Sequence, residues 1–447
     1  MVLPSKMLLP MPKRLRSIVV ALFAAGCVSA AVAWQAVPGD DPKQLLPVLR
    51  QSATKFWKGN LHTHSYWSDG DDYPEMIADW YSRHSYDFLA LSDHNILAEG
   101  DRWIDIFDGK AGRAQALQKY RARFGDSWVE RRAKDDKEQV RLKPLAEYRS
   151  LLEHPGRFLL IPAEEITTRF ALKPVHVNAI NVRDLIAPSG AQGVSETVRV
   201  NVRAVDEQRK KTGRPMLAFL NHPNFGWGVR AEEMLLEELR YFEVFNGHPS
   251  VRNYGDDVHP NTEKLWDIAL ALRLGKFKMP VLFGLATDDA HAYHAYGLGK
   301  TNPGRGWIMV RAPHLSAEAI VKGIEAGDFY ASSGVTLDDI RRDNGGLRFK
   351  IHAEPGVNYK TQFFATMRDT PLDAEPRKDD EGRPLEVTRI YHPDVGKMLA
   401  ETESLEPAYR LTGQELYVRA RVISSKPHPN PYGKGDVEMA WTQPAMP

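Results

Sequence analysis

Short apolar runs recur along the chain, and each runs into a polar cluster. Phe88-Leu89-Ala90-Leu91 is followed by Ser92-Asp93-His94-Asn95, and Phe158-Leu159-Leu160-Ile161 by Pro162-Ala163-Glu164-Glu165. Met216-Leu217-Ala218-Phe219-Leu220 leads into Asn221-His222-Pro223, and Tyr241-Phe242-Glu243-Val244-Phe245 into Asn246-Gly247-His248. Val281-Leu282-Phe283-Gly284-Leu285-Ala286 ends at Thr287-Asp288-Asp289-Ala290-His291. Apolar runs of this length predict buried strands. Helical spacing appears between them: Pro74 suits a first turn, and Met76, Ile77, Trp80 and Tyr81 form an apolar stripe that belongs to the core. A second helix is predicted over 317–326, stopped by Gly327, after which 329–334 returns to extended chain. Strands with polar residues gathered at one end predict an α/β barrel with one convergent site at the carboxyl ends of its strands.

Three regions depart from that pattern. The charged segment 101–154 shows helical spacing over 114–124 and 145–152, which predicts a solvated helical insertion. Because it leaves directly from the Asp93-His94 loop, a lid over the site is its alternative role. After Gly345-Gly346 the chain alternates, in Leu347-Arg348-Phe349-Lys350-Ile351, over 361–367 and over 416–423, so a small β module is expected over 345–447. Lys426-Pro427-His428-Pro429-Asn430-Pro431 is too rich in proline for regular strand, and the module is given no catalytic role.

The amino terminus reads as a secretory signal over 1–33: basic Lys13-Arg14-Leu15-Arg16, an apolar stretch over 18–25 too short to span a bilayer, then Ala31-Val32-Ala33 as cleavage site. The barrel domain then covers 34–344. Cys27, the only cysteine, offers an alternative, since Ala24-Ala25-Gly26-Cys27 resembles a lipoprotein box and would place a lipid anchor at the cell envelope. Ala24 stands where leucine is usual, which favours simple cleavage. The expectation is an exported, periplasmic or extracellular protein with no disulfide and no transmembrane span in the mature chain.

At 447 residues and 43% hydrophobic content, the chain can bury a large core. A net charge of +1, with acids and bases interspersed, gives no basic stripe for nucleic acid. Against that neutral background the histidines stand out. His62 and His64, one residue apart in extended chain, point to one face, and one cation can bind both. Asp69, in the turn Trp67-Ser68-Asp69-Gly70-Asp71-Asp72, adds a hard oxygen donor. A lone His-x-His pair is usually structural, but here further polar clusters close successive strands. Glu164 and Glu165 compete for one carboxylate role, as do Asp288 and Asp289.

Together these motifs resemble the PHP (polymerase and histidinol phosphatase) superfamily of metal-dependent hydrolases, over residues 57–334. His62-Thr63-His64 resembles its first motif, Asp69 the following acid, Ser92-Asp93-His94 the second motif and Asp289-Ala290-His291 the last. Glu165, before Ile166-Thr167, is similar to the bridging glutamate, and His176 and His222 to the histidines after it. The resemblance implies a distorted (β/α)7 barrel. It also implies two or three divalent cations (manganese, zinc or iron): His62, His64, Glu165 and Asp289 around the first, Glu165 bridging to a second held by His176 and His222, and Asp69, His94 and His291 around the third. Asp288 becomes a supporting group. An exported chain with a trailing β module is similar to the carbaryl-hydrolase-like branch. An amidohydrolase barrel, which also begins with His-x-His, lacks the Asp69 and Asp93-His94 pattern.

Such cations acidify water and clamp oxygens of the reacting centre, so no protein nucleophile is required. Arg169 and Arg305 are candidate anion binders, with a surface salt bridge as the plain reading, favoured for Arg305. His248 is a candidate substrate contact or proton donor, or else a structural hydrogen-bonding group. Three functions follow in order: hydrolysis of a small, anionic phosphate ester; hydrolysis of a carbamate, ester or amide, for which Trp227, Phe225 and Phe170 would supply apolar walls; and metal binding without catalysis.

Overall fold

The computed structural model describes residues 55–106 and 112–447. The signal reading over 1–33 and the Cys27 anchor lie outside the described residues. Among the described residues, no helix is long and apolar enough to cross a membrane.

The chain begins with β1 (Lys55–Asn60), α1 (Pro74–Arg83) and β2 (Phe88–Leu91), and then enters the insertion, β3 (Arg102–Asp105), α2 (Arg113–Phe124), β4 (Arg131–Lys134), β5 (Lys137–Leu142) and α3 (Leu145–Leu152). The main body resumes with β6 (Leu159–Phe170), β7 (Lys173–Ile180), α4 (Val194–Thr212), β8 (Leu217–Leu220), β9 (Tyr241–Asn246), α5 (Thr262–Ala271) and β10 (Phe283–Thr287). There follow β11 (Trp307–Ala312), α6 (Ala317–Glu325) and β12 (Phe329–Ser332). Local chemistry sets these boundaries. Pro74 opens α1, Asn261 caps α5 by accepting from the Lys264 N–H, and Ser316 caps α6 by accepting from the Ala319 N–H.

The fold is mixed α/β, with a large mixed sheet ordered β10-β9-β8-β7-β6-β2-β1-β11-β12 and continuing into the carboxyl-terminal strands. β1, β2 and β6 run parallel, as do β8, β9 and β10, but β7 is antiparallel to both of its neighbours. β6 and β7 form a hairpin around Ala171-Leu172, and so short a connection permits only antiparallel pairing. Of the expected distorted (β/α)7 barrel, the strands do not form a continuous closed ladder. The free edge of β1 is taken by β11 over Lys55 to Gly59, so β10 reaches that part of the chain only beyond the strand ends. There the His64 N–H donates to the Ala290 carbonyl and the Asp289 N–H to the His62 carbonyl, both at 2.9 Å. The remaining edge of β10 is covered at Gly284 by the Gln443 carboxamide, which accepts from its N–H at 2.9 Å and donates to its carbonyl at 2.7 Å.

The insertion is not helical throughout. β3, β5 and β4 form an antiparallel sheet alongside the two predicted helices, because Val140 and Leu142 alternate inward among charged neighbours. Its core joins Ile104, Leu117, Tyr120 and Val140 to Tyr66, Trp67 and Tyr73, so it backs the loop that carries Asp69. The expected boundary at 344/345 falls within the hairpin of β13 (Leu337–Asp343) and β14 (Gly346–Ile351). The remaining strands are β15 (Tyr359–Met367), β16 (Lys397–Thr402), β17 (Ala408–Arg410), β18 (Glu415–Pro427) and β19 (Val437–Thr442). β19 pairs with β12, so β19, β18, β15 and β16 extend the main sheet, while β13, β14 and β17 form a small sheet of their own. Arg419 of β18 is buried against Asp267 of α5 at 2.6 Å, a further tie between the two parts.

Candidate metal centre

The ends of β1, β2, β8 and β10, with the middles of β6 and β7, converge on one cluster. Just past β1, alternation turns His62 and His64 to one side and Thr63 to the other, where its hydroxyl meets Tyr293. The next loop is shaped by Asp93, whose carboxylate accepts the Ser65 N–H at 2.8 Å, the Ser68 N–H at 3.0 Å and both serine hydroxyls. Gly70 is required there, because a Cβ would sit 2.4 Å from the His64 carbonyl oxygen. The result presents Asp69 toward His94 and His291.

All nine side chains singled out from the sequence come together. His62 Nε2 lies 3.2 Å from both Glu165 Oε2 and Asp289 Oδ1, and His64 Nε2 lies 3.3 and 3.1 Å from the same two atoms. Glu165 Oε1 meets His176 Nδ1 at 2.8 Å and His222 Nε2 at 3.4 Å, while its Oε2 meets His94 Nδ1 at 2.9 Å. Asp69 lies 3.6 Å from His94 and 3.4 Å from His291. Four groups have donor atoms close enough to share a cation: His62, His64 and Asp289; His62, Glu165 and His222; His94, Glu165 and His176; and His64, Asp69, His94 and His291. The grouping differs from the implied one, since His222 joins His62 and His176 joins His94, with Glu165 common to both.

The donor chemistry fits divalent cations. His62 Nε2 and Glu165 Oε2 are buried and face each other at 3.2 Å without a well-directed hydrogen bond, with His94 Nδ1 also 2.9 Å from Oε2. Converging acceptors of this kind repel unless a proton or a cation lies among them. Imidazole and carboxylate together suit zinc, iron or manganese. The electrostatics agree. Burial disfavours the His62 cation, but Asp289, Glu165 and Glu243 outweigh it and lift its pKa well above the usual histidine range. His94 rises to about 9 against the same burial, driven by Glu165 and Asp69. Burial would raise Glu165 and Asp289, yet neighbouring imidazoles hold both well below the usual carboxylate range. His64 shares these carboxylates and still falls to about 3, through burial and the neighbouring His291 and His94. The carboxylates thus draw positive charge to their midst, and a metal ion would displace protons on binding.

The competing carboxylates turn away. Glu164, on the opposite face of β6, accepts the Ile186 N–H at 2.7 Å, and burial lifts it to about 7. Asp288 accepts the N–H groups of Gly304, Arg305 and Gly306 and the Tyr81 hydroxyl. Arg305 is neither a surface salt bridge nor a free anion binder. It is fully buried and donates to the carbonyls of Gly247, Gly297, Lys300 and Asn430. Arg169 is exposed near the tip of the β6–β7 hairpin, and among the described residues no ion pair or hydrogen bond joins its guanidinium to the cluster. His248 sits beside the cluster, its ring centroid 5.5 Å from that of His291. Its Nδ1 accepts the Ser250 N–H at 3.1 Å, and burial lowers its pKa to about 4, so the neutral ring carries its proton on Nε2.

Sequence reasoning missed the groups that hold the ring nitrogens and carboxylates in place. Glu243 contacts His62 Nδ1 at 2.7 Å, Thr167 contacts His94 Nδ1 at 2.5 Å, and Asn221 donates to Glu165 Oε1 at 2.8 Å. A signal existed for Glu243, a lone carboxylate inside an apolar strand.

No protein-family model matches the chain, and no curated protein matches it. Among solved structures it is similar to a two-domain protein containing a predicted PHP-like metal-dependent phosphoesterase from Bacteroides vulgatus ATCC 8482. The likeness has 15% identity and a TM-score of 0.36, over 91% of this chain and 100% of that one. So distant a likeness leaves function to the residues of the centre.

Proposed function

We propose that this chain is an exported hydrolase that uses a multinuclear metal centre to cleave a small phosphate ester. The observation that supports it most is Glu165, a buried carboxylate shared by two of the candidate donor groups and in contact with five of the histidines. His62, His64 and Asp289 would hold one cation, Glu165 would serve both His62 with His222 and His94 with His176, and His64, Asp69, His94 and His291 would hold the outermost. Bound cations supply an acidified water and positive charge opposite the oxygens of the transferring group.

The protein's own part is to fix these donors and to line the approach. Thr167 and Glu243 orient His94 and His62, so that the rings do not need to reorganise during turnover. With a neutral ring that carries its proton on Nε2, His248 can donate a hydrogen bond to a substrate oxygen; its low pKa makes it an orienting group rather than an acid near neutral pH. A phosphate ester suits the centre because clustered cations provide the charge that arginines provide elsewhere, and Arg305 is fully engaged.

Hydrolysis of a carbamate, ester or amide is the second reading, favoured by Phe225, whose ring centroid lies 5.1 Å from that of His222 and 6.0 Å from that of His176. Trp227 is less available, since it stacks on His259 at 3.9 Å. Metal analysis of the purified protein, with an activity screen over phosphate mono- and diesters, carboxyl esters and carbamates, tests both. Metal-dependent turnover of a phosphate ester is expected; cleavage of an aryl ester with no phosphate ester cleaved would overturn the first reading in favour of the second.

A further inference from the structure

Glu243 lies in the middle of β9, between Phe242 and Val244, and is 1% exposed. A carboxylate so placed is costly unless its lone pairs are occupied, and here each oxygen accepts two hydrogen bonds. Oε1 meets His62 Nδ1 and the Thr287 hydroxyl, both at 2.7 Å. Oε2 accepts the His222 N–H at 2.7 Å and the Asn246 carboxamide at 2.8 Å. These partners come from the carboxyl ends of β1, β10, β8 and β9, so one side chain ties four strand ends together.

The chemistry of the contact to His62 has one direction. An ionised carboxylate only accepts, so His62 donates from Nδ1 and keeps Nε2 for the face shared with Glu165 and Asp289. Asn246 continues the same control. Its carboxamide oxygen accepts the His248 N–H at 2.8 Å, which leaves its two amide hydrogens for Glu243 and for Asp289 Oδ2 at 3.2 Å. Asp289 is thereby held from the side away from His64.

We propose that Glu243 is a positioning residue: it fixes which nitrogen of His62 meets the cation and, through Asn246, the orientation of Asp289. The proposal rests on the metal-centre reading. Two measurements on the zinc-loaded full chain test it. In nitrogen NMR of protein labelled in the histidine rings, His62 should carry its proton on Nδ1 and zinc on Nε2, with the Nδ1–H resonance displaced in Glu243→Gln. Competition with a chelator should show zinc held about 10- to 100-fold more weakly by Glu243→Gln. Thr287→Val, which removes the other hydrogen bond to Oε1, should leave zinc affinity within about threefold even where it lowers the melting temperature. A purely structural Glu243 would make the two variants alike in zinc affinity. A proton on His62 Nε2 in the wild type, or unchanged affinity in folded Glu243→Gln, would overturn the proposal. Failure of the wild type to bind zinc or any other divalent cation would instead overturn the metal reading beneath it.

Discussion

The centre has a deep half and a mouth, and they are built differently. In the deep half His62 and Glu165 are 0% exposed and Asp289 7%, whereas at the mouth Asp69 is 53% exposed, His94 25% and His291 18%. Deep donors are fixed by buried partners, Glu243, Asn221 and Asn246. Asp69 is instead placed by the fold of its loop, through Asp93, with the insertion packed behind it. Burial strengthens charge interactions and exposure weakens them. The deep half should therefore bind a cation tightly and permanently, and the mouth should bind one that exchanges and meets substrate.

The largest effect is expected in the deep half. Glu165→Ala removes a donor shared by two groups and should lower turnover roughly 1,000-fold or more, a loss of about 4 kcal/mol of transition-state stabilisation. Steady-state kinetics with metal in excess checks this; a loss no larger than that of a mouth variant would remove the distinction. Asp69→Ala should cost less, about 10- to 100-fold, and added metal should restore part of the rate because only the exchanging position is weakened. Arg169→Ala should raise KM for a phosphate ester by about threefold, well under 1 kcal/mol, with kcat unchanged. A fall in kcat would give that exposed residue a part in the chemistry.

The smallest effect concerns the support behind the mouth. Glu75 is fully buried and accepts the Tyr120 hydroxyl and Trp128 Nε1–H on Oε1 alone, while Oε2 has no partner. Burial lifts its pKa to about 7. A carboxyl raised in the folded state favours folding when protonated, so this contribution is complete below about pH 4.5 and is lost as pH rises through about 7. Glu75→Gln should melt within about 2 °C of the wild type at pH 5 and above it at pH 8, with catalytic constants unchanged. Equal melting differences at the two pH values would show that Glu75 is ionised in the fold.

Legibility follows the same division. Polar residues that close apolar runs, such as Asp93-His94, Asn221-His222 and Asp289-Ala290-His291, announce themselves locally, and the structure brings them together. α1 and α3 were legible for the same reason, since one apolar stripe determines a helix. β7 was not, because its direction depends on the β6–β7 hairpin rather than on periodicity. Closure of the sheet was not legible either, because it turns on β11 taking the edge of β1. Arg305 reads in sequence like any surface arginine, and only the carbonyls around it explain its burial. Glu243 was visible as a charge in an apolar strand, but its partner His62 lies far away in sequence.

Metal stoichiometry distinguishes a multinuclear centre from a cluster that holds no metal. Elemental analysis of the wild type, Asp69→Ala and Glu165→Ala, after rapid desalting from metal-supplemented buffer, should find two or three divalent ions per wild-type chain. Asp69→Ala should hold one fewer, and Glu165→Ala should hold less than one. The same metal content in all three proteins, or none in the wild type, would contradict a multinuclear centre built around Glu165.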